Sequence, residues 1–202
     1  MDVIFQVIIL ILSVVVHEVS HGYAALLQGD TTAKYAGRLT LNPAKHLDPF
    51  GSVILPIVML IASAGSFAFG WAKPVPYNPY NLRNHRWGEL IVAIAGPISN
   101  LALALIFGTL IRFSSELGLS AGFVEISFVI VVVNCVLAVF NMIPIPPLDG
   151  SKVLFAFLSV ESEFRRFLER YSFVLIIIVI FWLWKLVFPI AILLVNLFTG
   201  GF

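Results

Sequence analysis

Five long apolar runs constrain this chain more than any other feature of its sequence. They cover residues 3–27, 50–69, 90–113, 122–144 and 171–198. Each run is close to the roughly 20 residues that an α-helix needs to cross the hydrocarbon core of a bilayer. Only 11% of the 202 residues are charged, whereas soluble domains contain about 25%. We therefore predict an all-α polytopic membrane protein with a single domain over residues 1–202, and we exclude a soluble globular protein.

The charged residues and the cysteine content exclude further classes. Twelve Lys and Arg against eleven Asp and Glu give a net charge of +1, which leaves no basic surface for nucleic acid. The single cysteine, Cys135, can form neither an intramolecular disulfide nor a Cys-rich zinc site. Asp2 replaces a basic start, and His17 and Glu18 stand where a cleavage site would carry small residues. A cleaved signal peptide is therefore not expected.

The basic residues bear on how many of the runs cross the membrane. Lys185 lies inside the last apolar run, which leaves eleven basic residues outside the runs or at their ends. If all five runs cross, these basic residues divide 4 against 7 between the two sides. If residues 50–69 enter and leave on one side, ten of them share that side and only Arg112 faces the other. The positive-inside rule favours this second topology, with the N-terminus outside and the polar loops in the cytoplasm. The five-helix bundle stays open as an alternative, because a re-entrant segment needs protein or a water-filled cavity around it.

A polar stretch follows the first run and contains a candidate strand. Residues 37–42 alternate in polarity and end at the turn signal Asn42-Pro43. The predicted fold therefore has four or five transmembrane helices, a re-entrant segment in one of the two topologies, and a short β element after the first helix.

The most specific motif is His17-Glu18-Val19-Ser20-His21, the H-E-x-x-H pattern, inside the first apolar run. At 3.6 residues per turn, the two histidines share one helix face, where both rings can bind one zinc ion and Glu18 can act on a water molecule. With 4 His and 7 Glu in the chain, this pattern arises by chance roughly three times in a thousand. Ionisable residues inside a membrane segment mark a functional site by default, so we predict a metal site here.

A catalytic zinc site usually has three protein ligands, so the third must come from elsewhere in the chain. His46 and His85 are candidates, but both lie in polar loops, where a surface or packing role is more common. Asp149 is the stronger candidate, because the three prolines within residues 144–147 prevent a helix and leave the chain extended before it. In the re-entrant topology the first and fourth runs point the same way, which brings His21 and Asp149 toward the same side.

Three motifs together give the chain a resemblance to the site-2 proteases, the intramembrane zinc metalloproteases of peptidase family M50, in a compact form without PDZ or CBS domains. The motifs are His17-Glu18-Val19-Ser20-His21-Gly22, Ala95-Gly96-Pro97-Ile98-Ser99-Asn100, and Phe140-Asn141-Met142-Ile143-Pro144 running into Leu148-Asp149-Gly150. This resemblance covers most of the chain. It implies one Zn²⁺ per chain, bound by His17, His21 and Asp149.

The resemblance also implies an activity and roles for neighbouring residues. Glu18 is implied as the catalytic base, and Asn141 as the group that orients the substrate or stabilises the oxyanion. Gly96 and Asn100 are implied to shape the substrate site. The implied enzyme is a multi-pass zinc metalloendopeptidase of the cell membrane that cuts in or near a transmembrane segment of a membrane-protein substrate, in regulated intramembrane proteolysis.

A peptide bond inside an intact helix is shielded, so such a substrate must unwind before it is cut. Residues 37–42 and the extended segment that begins at Pro144 offer edges with which an unwound substrate can pair, and we therefore count Pro144 among the substrate-binding residues. The alternative function is a non-catalytic membrane protein that binds metal or transmembrane helices. Glu18 argues against that alternative, because a metal carrier has little need of a carboxylate beside His17. A homo-oligomer stays open.

Overall fold

The computed structural model describes residues 3–62, 72–84, 87–179 and 184–201, and these ranges are helical apart from loops and turns. The α-helices are α1 Val3–Leu27, α2 Thr32–Tyr35, α3 Leu55–Ala62, α4 Gly88–Arg112, α5 Ala121–Asn141, α6 Asp149–Phe155, α7 Glu163–Arg170, α8 Ser172–Ile178 and α9 Trp184–Thr199. Short 3₁₀ turns cover Pro43–Lys45 and Pro79–Asn81, and a π-helical segment covers Pro49–Ile54. The prediction of an all-α protein is confirmed.

Among the described residues, α1, α4 and α5 are long and apolar enough to cross a membrane, with 25, 25 and 21 residues. Their outer faces carry large apolar side chains that are exposed, including Ile4 and Phe5 of α1 and Leu105 of α4. Such faces suit contact with lipid rather than with water. The last apolar run contains two helices, α8 and α9, and residues 180–183 between them lie outside the description.

The helices of the first and fourth apolar runs, α1 and α5, point in the same direction. Ser13 in the first half of α1 is hydrogen-bonded to Asn134 in the middle of α5. Further along both helices, Glu18 and Asn141 line one cavity. This is the relative direction that the re-entrant topology predicts.

Helix α4 runs antiparallel to α1 and forms the centre of the molecule. Gln28, one residue beyond the end of α1, donates from Nε2 to the carbonyl of Gly88 at the start of α4, at 3.2 Å. Along its length α4 contacts α1, α5, α6 and α9. A core of fully buried side chains fills the space between α4, α5 and α9, made of Ala104, Ile111, Val131, Cys135, Ala191 and Val195. Because α4 touches every element that carries a candidate site residue, it is the scaffold of the site.

The strand predicted for residues 37–42 does not form, and no strand is present in the ranges that the structure describes. The chain turns at Gly37, whose φ is +63°, and the groups that follow pair with loops instead of a ladder. Arg38 donates to the carbonyl of Lys73 at 2.6 Å, and Nε2 of His46 lies 2.8 Å from the carbonyl of Thr40. A strand needs a partner strand at its edge, and here that position is taken by irregular chain.

Candidate metal centre

One face of α1 carries the buried polar residues of the site. Ser13, His17, His21 and Ala25 recur every four residues and are all buried, as the helical period requires for one face. His17 lies ten residues before the end of α1 at Leu27, or about 15 Å along the helix axis. The two histidines therefore lie well inside a helix of membrane-spanning length.

Asp149 reaches this face from the first turn of α6. The segment from 142 to 148 is not helical, as its prolines predict, but it consists of turns and bends rather than the predicted extended chain. Its amides bond locally, with Leu148 N donating to Ile145 O at 3.0 Å. Gly150 packs directly on the backbone carbonyls of Met142 and Ile143, which leave no room for a side chain. This close packing holds Asp149 against α1.

Three side-chain atoms converge at this point. Nε2 of His17 and Nε2 of His21 are 3.0 Å apart, and they lie 3.1 Å and 3.2 Å from Oδ2 of Asp149. A tetrahedral zinc ion with bonds of about 2.0–2.1 Å separates its ligand atoms by roughly 3.3 Å. No other group of His, Cys, Asp and Glu side chains in the described ranges is arranged to hold a metal ion. The triangle has the size of one face of a zinc tetrahedron.

In both rings Nδ1, the nitrogen that faces away from Asp149, is hydrogen-bonded in the way that metal-binding histidines require. Nδ1 of His21 lies 2.7 Å from the backbone carbonyl of Val92, and Nδ1 of His17 lies 2.6 Å from Oδ1 of Asn100. A carbonyl only accepts, so Nδ1 of each ring is the donor and Nε2 is left to bind a metal ion. Two nitrogens and a carboxylate oxygen are a ligand set that zinc takes, so the residues fit this ion.

Gly96 of α4 lies directly against both histidine rings. A Cβ atom at this position would be 2.5 Å from Cε1 of His17 and 2.5 Å from Nε2 of His21. The absence of a side chain therefore lets α4 approach the two rings. Of the residues predicted to shape a substrate site, Gly96 and Asn100 both contact the histidines in this structure.

A cavity of about 120 Å³ opens beside the three converging side chains of His17, His21 and Asp149. Glu18 lines it and is half-buried, and its Oε2 accepts a hydrogen bond from the backbone N–H of Val75 at 2.8 Å. Asn141 lines the same cavity and donates from Nδ2 to the carbonyl of Leu137 at 3.0 Å. The structure thus brings together Glu18, Asn141 and the three predicted metal ligands.

Two further residues of the cavity were not predicted from the sequence. Nζ of Lys152 lies 3.8 Å from Oδ1 of Asp149 and 5.2 Å from the ring centre of Tyr77. Burial, followed by the negative charges of Glu89 and Asp149, raises the pKa of Tyr77 well above its usual value, so its hydroxyl stays protonated. The i,i+3 spacing of Asp149 and Lys152 on one helix was a usable signal, whereas nothing local to Tyr77 pointed to this cavity.

The remaining candidates lie elsewhere. His46 is buried but pairs with the carbonyl of Thr40 and is not part of the metal-binding group. His85 lies outside the described residues. Pro144 is exposed and lines a separate apolar groove of about 390 Å³ beside Leu101 and Leu194. This groove shares no lining residue with the cavity at Glu18.

Comparison with known proteins gives consistent matches. The family model of peptidase family M50 matches residues 5–120 and 116–183. The Bacillus subtilis protein named "Putative zinc metalloprotease YwhC" is 43% identical over 156 residues, which cover 74% of this chain and 67% of that protein. Proteins of the same description named Rip2 are 32% identical in Mycolicibacterium smegmatis and 28% identical in Mycobacterium tuberculosis H37Rv. These alignments cover 76% and 86% of this chain but only 57% and 64% of the relatives. No solved structure matches significantly.

Proposed function

Because this chain belongs to peptidase family M50, we propose that it is an intramembrane zinc metalloendopeptidase that cuts a membrane-protein substrate in or near a transmembrane segment, as in regulated intramembrane proteolysis. The observation that carries the proposal is the shared cavity, in which Glu18 lies beside the three atoms that can bind zinc. A metal carrier has no use for a fixed carboxylate at this position, so the cavity favours an enzyme. One domain over residues 1–202 performs the reaction in this proposal.

The directions of the helices support a cell-membrane topology with four crossings. The end of α1 and the start of α4 meet through Gln28 and Gly88, so the chain between them starts and finishes on one side of the membrane. A single full crossing by residues 50–69 would put these two ends on opposite sides. The re-entrant alternative is therefore the one that we propose, with the polar loops in the cytoplasm as the positive-inside rule requires.

The roles of the residues follow from their surroundings. His17, His21 and Asp149 would hold one zinc ion, which when bound acidifies water and polarises a carbonyl group. The Val75 amide fixes one oxygen of Glu18. In our proposal the Glu18 carboxylate takes a proton from a water molecule in the cavity and returns it to the leaving amine. In the same proposal the Asn141 side chain, which also lines this cavity, orients the substrate carbonyl.

The size of the cavity supports an unwound substrate. A volume of about 120 Å³ holds several water molecules or a short stretch of main chain. An α-helix with its side chains is about 10–12 Å across, which is too wide for this space. The substrate segment therefore enters as extended chain, and a transmembrane helix must lose its hydrogen bonds locally before it is cut.

The test measures zinc content and proteolysis in the detergent-purified full chain. Wild type should carry about one zinc ion, and His17→Ala and Asp149→Asn should lose or weaken it. Glu18→Gln should keep zinc and cut fluorescein-labelled casein, an unfolded probe, about 10²–10⁴-fold more slowly than wild type.

Two outcomes would contradict the proposal. Wild-type protein that is purified without chelators and contains no zinc would remove the metal site. Glu18→Gln protein that cuts casein at the wild-type rate would remove the proposed base. Full zinc content together with no chelator-sensitive proteolysis of casein or of a reconstituted single-span peptide would favour the non-catalytic metal-binding alternative.

A further inference from the structure

A continuous row of buried polar side chains leads through three helices to His17. Ser13, Asn134 and Asn100 are 4%, 0% and 0% exposed. Asn134 donates from Nδ2 to Ser13 Oγ and to the backbone carbonyl of Ile130, at 2.9 Å each. Its Oδ1 accepts from Nδ2 of Asn100 at 2.7 Å, and Oδ1 of Asn100 accepts from His17 at 2.6 Å. We call Ser13, Asn134 and Asn100 the polar relay.

The backbone carbonyl of Ile130 sets the direction of every hydrogen bond in the relay. A carbonyl only accepts, so the amide nitrogen of Asn134 must face it and the amide oxygen must face Asn100. That oxygen also only accepts, so Asn100 turns its nitrogen toward Asn134 and its oxygen toward His17. A hydrogen of the His17 ring therefore lies on Nδ1, and Nε2, which faces Asp149, is the ring nitrogen available to a metal ion.

The two histidines differ in how this state is fixed. Val92 holds His21 through a backbone carbonyl, which cannot change from acceptor to donor. His17 depends on the side-chain amide of Asn100, which offers either an oxygen or a nitrogen depending on which way it is turned. Asn134 sets the orientation of this amide. The tautomer of His17 is therefore determined by a residue that reaches the ring only through Asn100.

We propose that Asn134 is a positioning residue of the metal site, which acts through Asn100 to hold His17 in the tautomer that binds zinc. The inference rests on the proposed function in one respect, namely that His17 is a zinc ligand. Without Asn134 the amide of Asn100 is free to turn over and present its nitrogen to Nδ1. The ring hydrogen then moves to Nε2, where it blocks the metal-binding atom.

A purely structural role for Asn134 makes a different prediction. Asparagines in membrane helices often act as hydrogen-bonding contacts between helices, and loss of such a contact would loosen the packing whether or not Asn100 is present. In the relay, by contrast, Asn134 has no effect on the metal except through Asn100. A double-mutant cycle separates the two cases.

The experiment measures zinc affinity of the detergent-purified full chain by competition with a chromophoric chelator. Asn100→Ala and Asn134→Ala should each weaken zinc binding about 10–100-fold, as is usual for partners of metal ligands. The double variant should bind zinc no more weakly than Asn100→Ala alone. Additive losses in the double variant would overturn the relay. Ser127→Ala is the matched control, because Ser127 is buried in α5 like Asn134 but its hydroxyl has no partner among the described residues.

A second readout follows the tautomer directly. Nitrogen NMR of histidine-labelled, metal-free protein should show a hydrogen on Nδ1 of His17 in wild type and an unprotonated Nδ1 in Asn134→Ala. An unchanged tautomer in Asn134→Ala would overturn the inference.

The same measurements separate a failure of the relay from a failure of the proposed function. If His17→Ala binds zinc as tightly as wild type, His17 is not a ligand and the proposed metal site is wrong. If His17→Ala loses zinc while Asn134→Ala binds it at wild-type affinity, the metal site stands and the relay alone is overturned.

Discussion

Single residues determine how closely the neighbouring helices pack against His17 and His21. The spacing of His17 and His21 predicted a shared metal ion, and the structure brings Asp149 to the same point. Asn134 is also recognisable in the sequence, because a polar side chain inside an apolar run is unusual. Its link to Asn100 could not be predicted, since the contact joins two helices and local sequence does not fix how helices are rotated against each other.

Replacing Gly96 with alanine should abolish tight zinc binding. The added Cβ would stand 2.5–2.6 Å from atoms of His17 and His21, and the Nδ1 atoms of both rings are tied to α4 itself, at Asn100 and Val92. The rings therefore cannot withdraw without losing those hydrogen bonds. We expect at least a tenfold loss of zinc affinity by chelator competition, with a matching loss of proteolysis.

Gly122→Ala is the control for this substitution. A Cβ at Gly122, the second residue of α5, meets nothing within 4 Å. Zinc affinity should stay at the wild-type value. Equal zinc binding in Gly96→Ala and Gly122→Ala would show that α4 does not need to approach the rings so closely.

At the scale of elements, the long helices were predictable and the connections between them were not. Apolar runs of about 20 residues fix α1, α4 and α5 almost by length alone. The alternation of residues 37–42 suggested a strand, but a strand depends on a partner that sequence cannot show. The connections are instead tied by buried polar residues. Asp30 is fully buried and accepts hydrogen bonds from Thr32, Asn78 and Asn81, joining the end of α1 to the loop that carries Val75.

Asp30→Asn should destabilise the protein at neutral pH and much less in acid. Burial raises the pKa of Asp30, but its hydrogen bonds outweigh burial and the pKa lies below the usual value of 3.8. A depressed folded-state pKa stabilises the fold above the unfolded pKa, and this stabilisation disappears as the pH falls through the folded value. We expect a loss of roughly 1–3 kcal/mol at pH 7, because hydrogen bonds to a charged group are lost.

The measurement compares unfolding midpoints of wild type and Asp30→Asn in detergent across the acid range. The gap between the two proteins should narrow below about pH 4 as the wild-type carboxylate becomes protonated. A gap that stays constant with pH would mean that the charge of Asp30 does not contribute to stability.

At the scale of the whole molecule, the sequence narrowed the topology to two arrangements. The distribution of the basic residues favoured a re-entrant segment between α1 and α4. The hydrogen bond from Gln28 to Gly88 agrees with that topology. Counts of basic residues alone could not decide between the two topologies, because the positive-inside rule describes a statistical bias and not a direct contact between residues. Residues 63–71, where the second run ends, lie outside the description, so the topology needs a direct test.

Cysteine labelling in sealed vesicles provides that test. Lys45 and Arg83 are exposed on either side of the second apolar run, and Ser115 is exposed in the α4–α5 connection. We expect Lys45→Cys and Arg83→Cys to react with an impermeant maleimide from the same, cytoplasmic side, and Ser115→Cys from the other. The native Cys135 is fully buried and serves as the unlabelled background. Labelling of positions 45 and 83 from opposite sides would establish five crossings instead.

A ribosome that has just completed α5 has made His17 and His21 but not Asp149, because Asp149 follows α5 in the chain. Asp149 lies 132 residues after His17. At about 5–20 residues per second, the first helix is in the membrane for several seconds before its third partner exists. During that interval the nascent chain lacks one of the three side chains that could hold a metal ion. The order of the elements along the chain thus delays completion of the candidate metal site until α6 has been made.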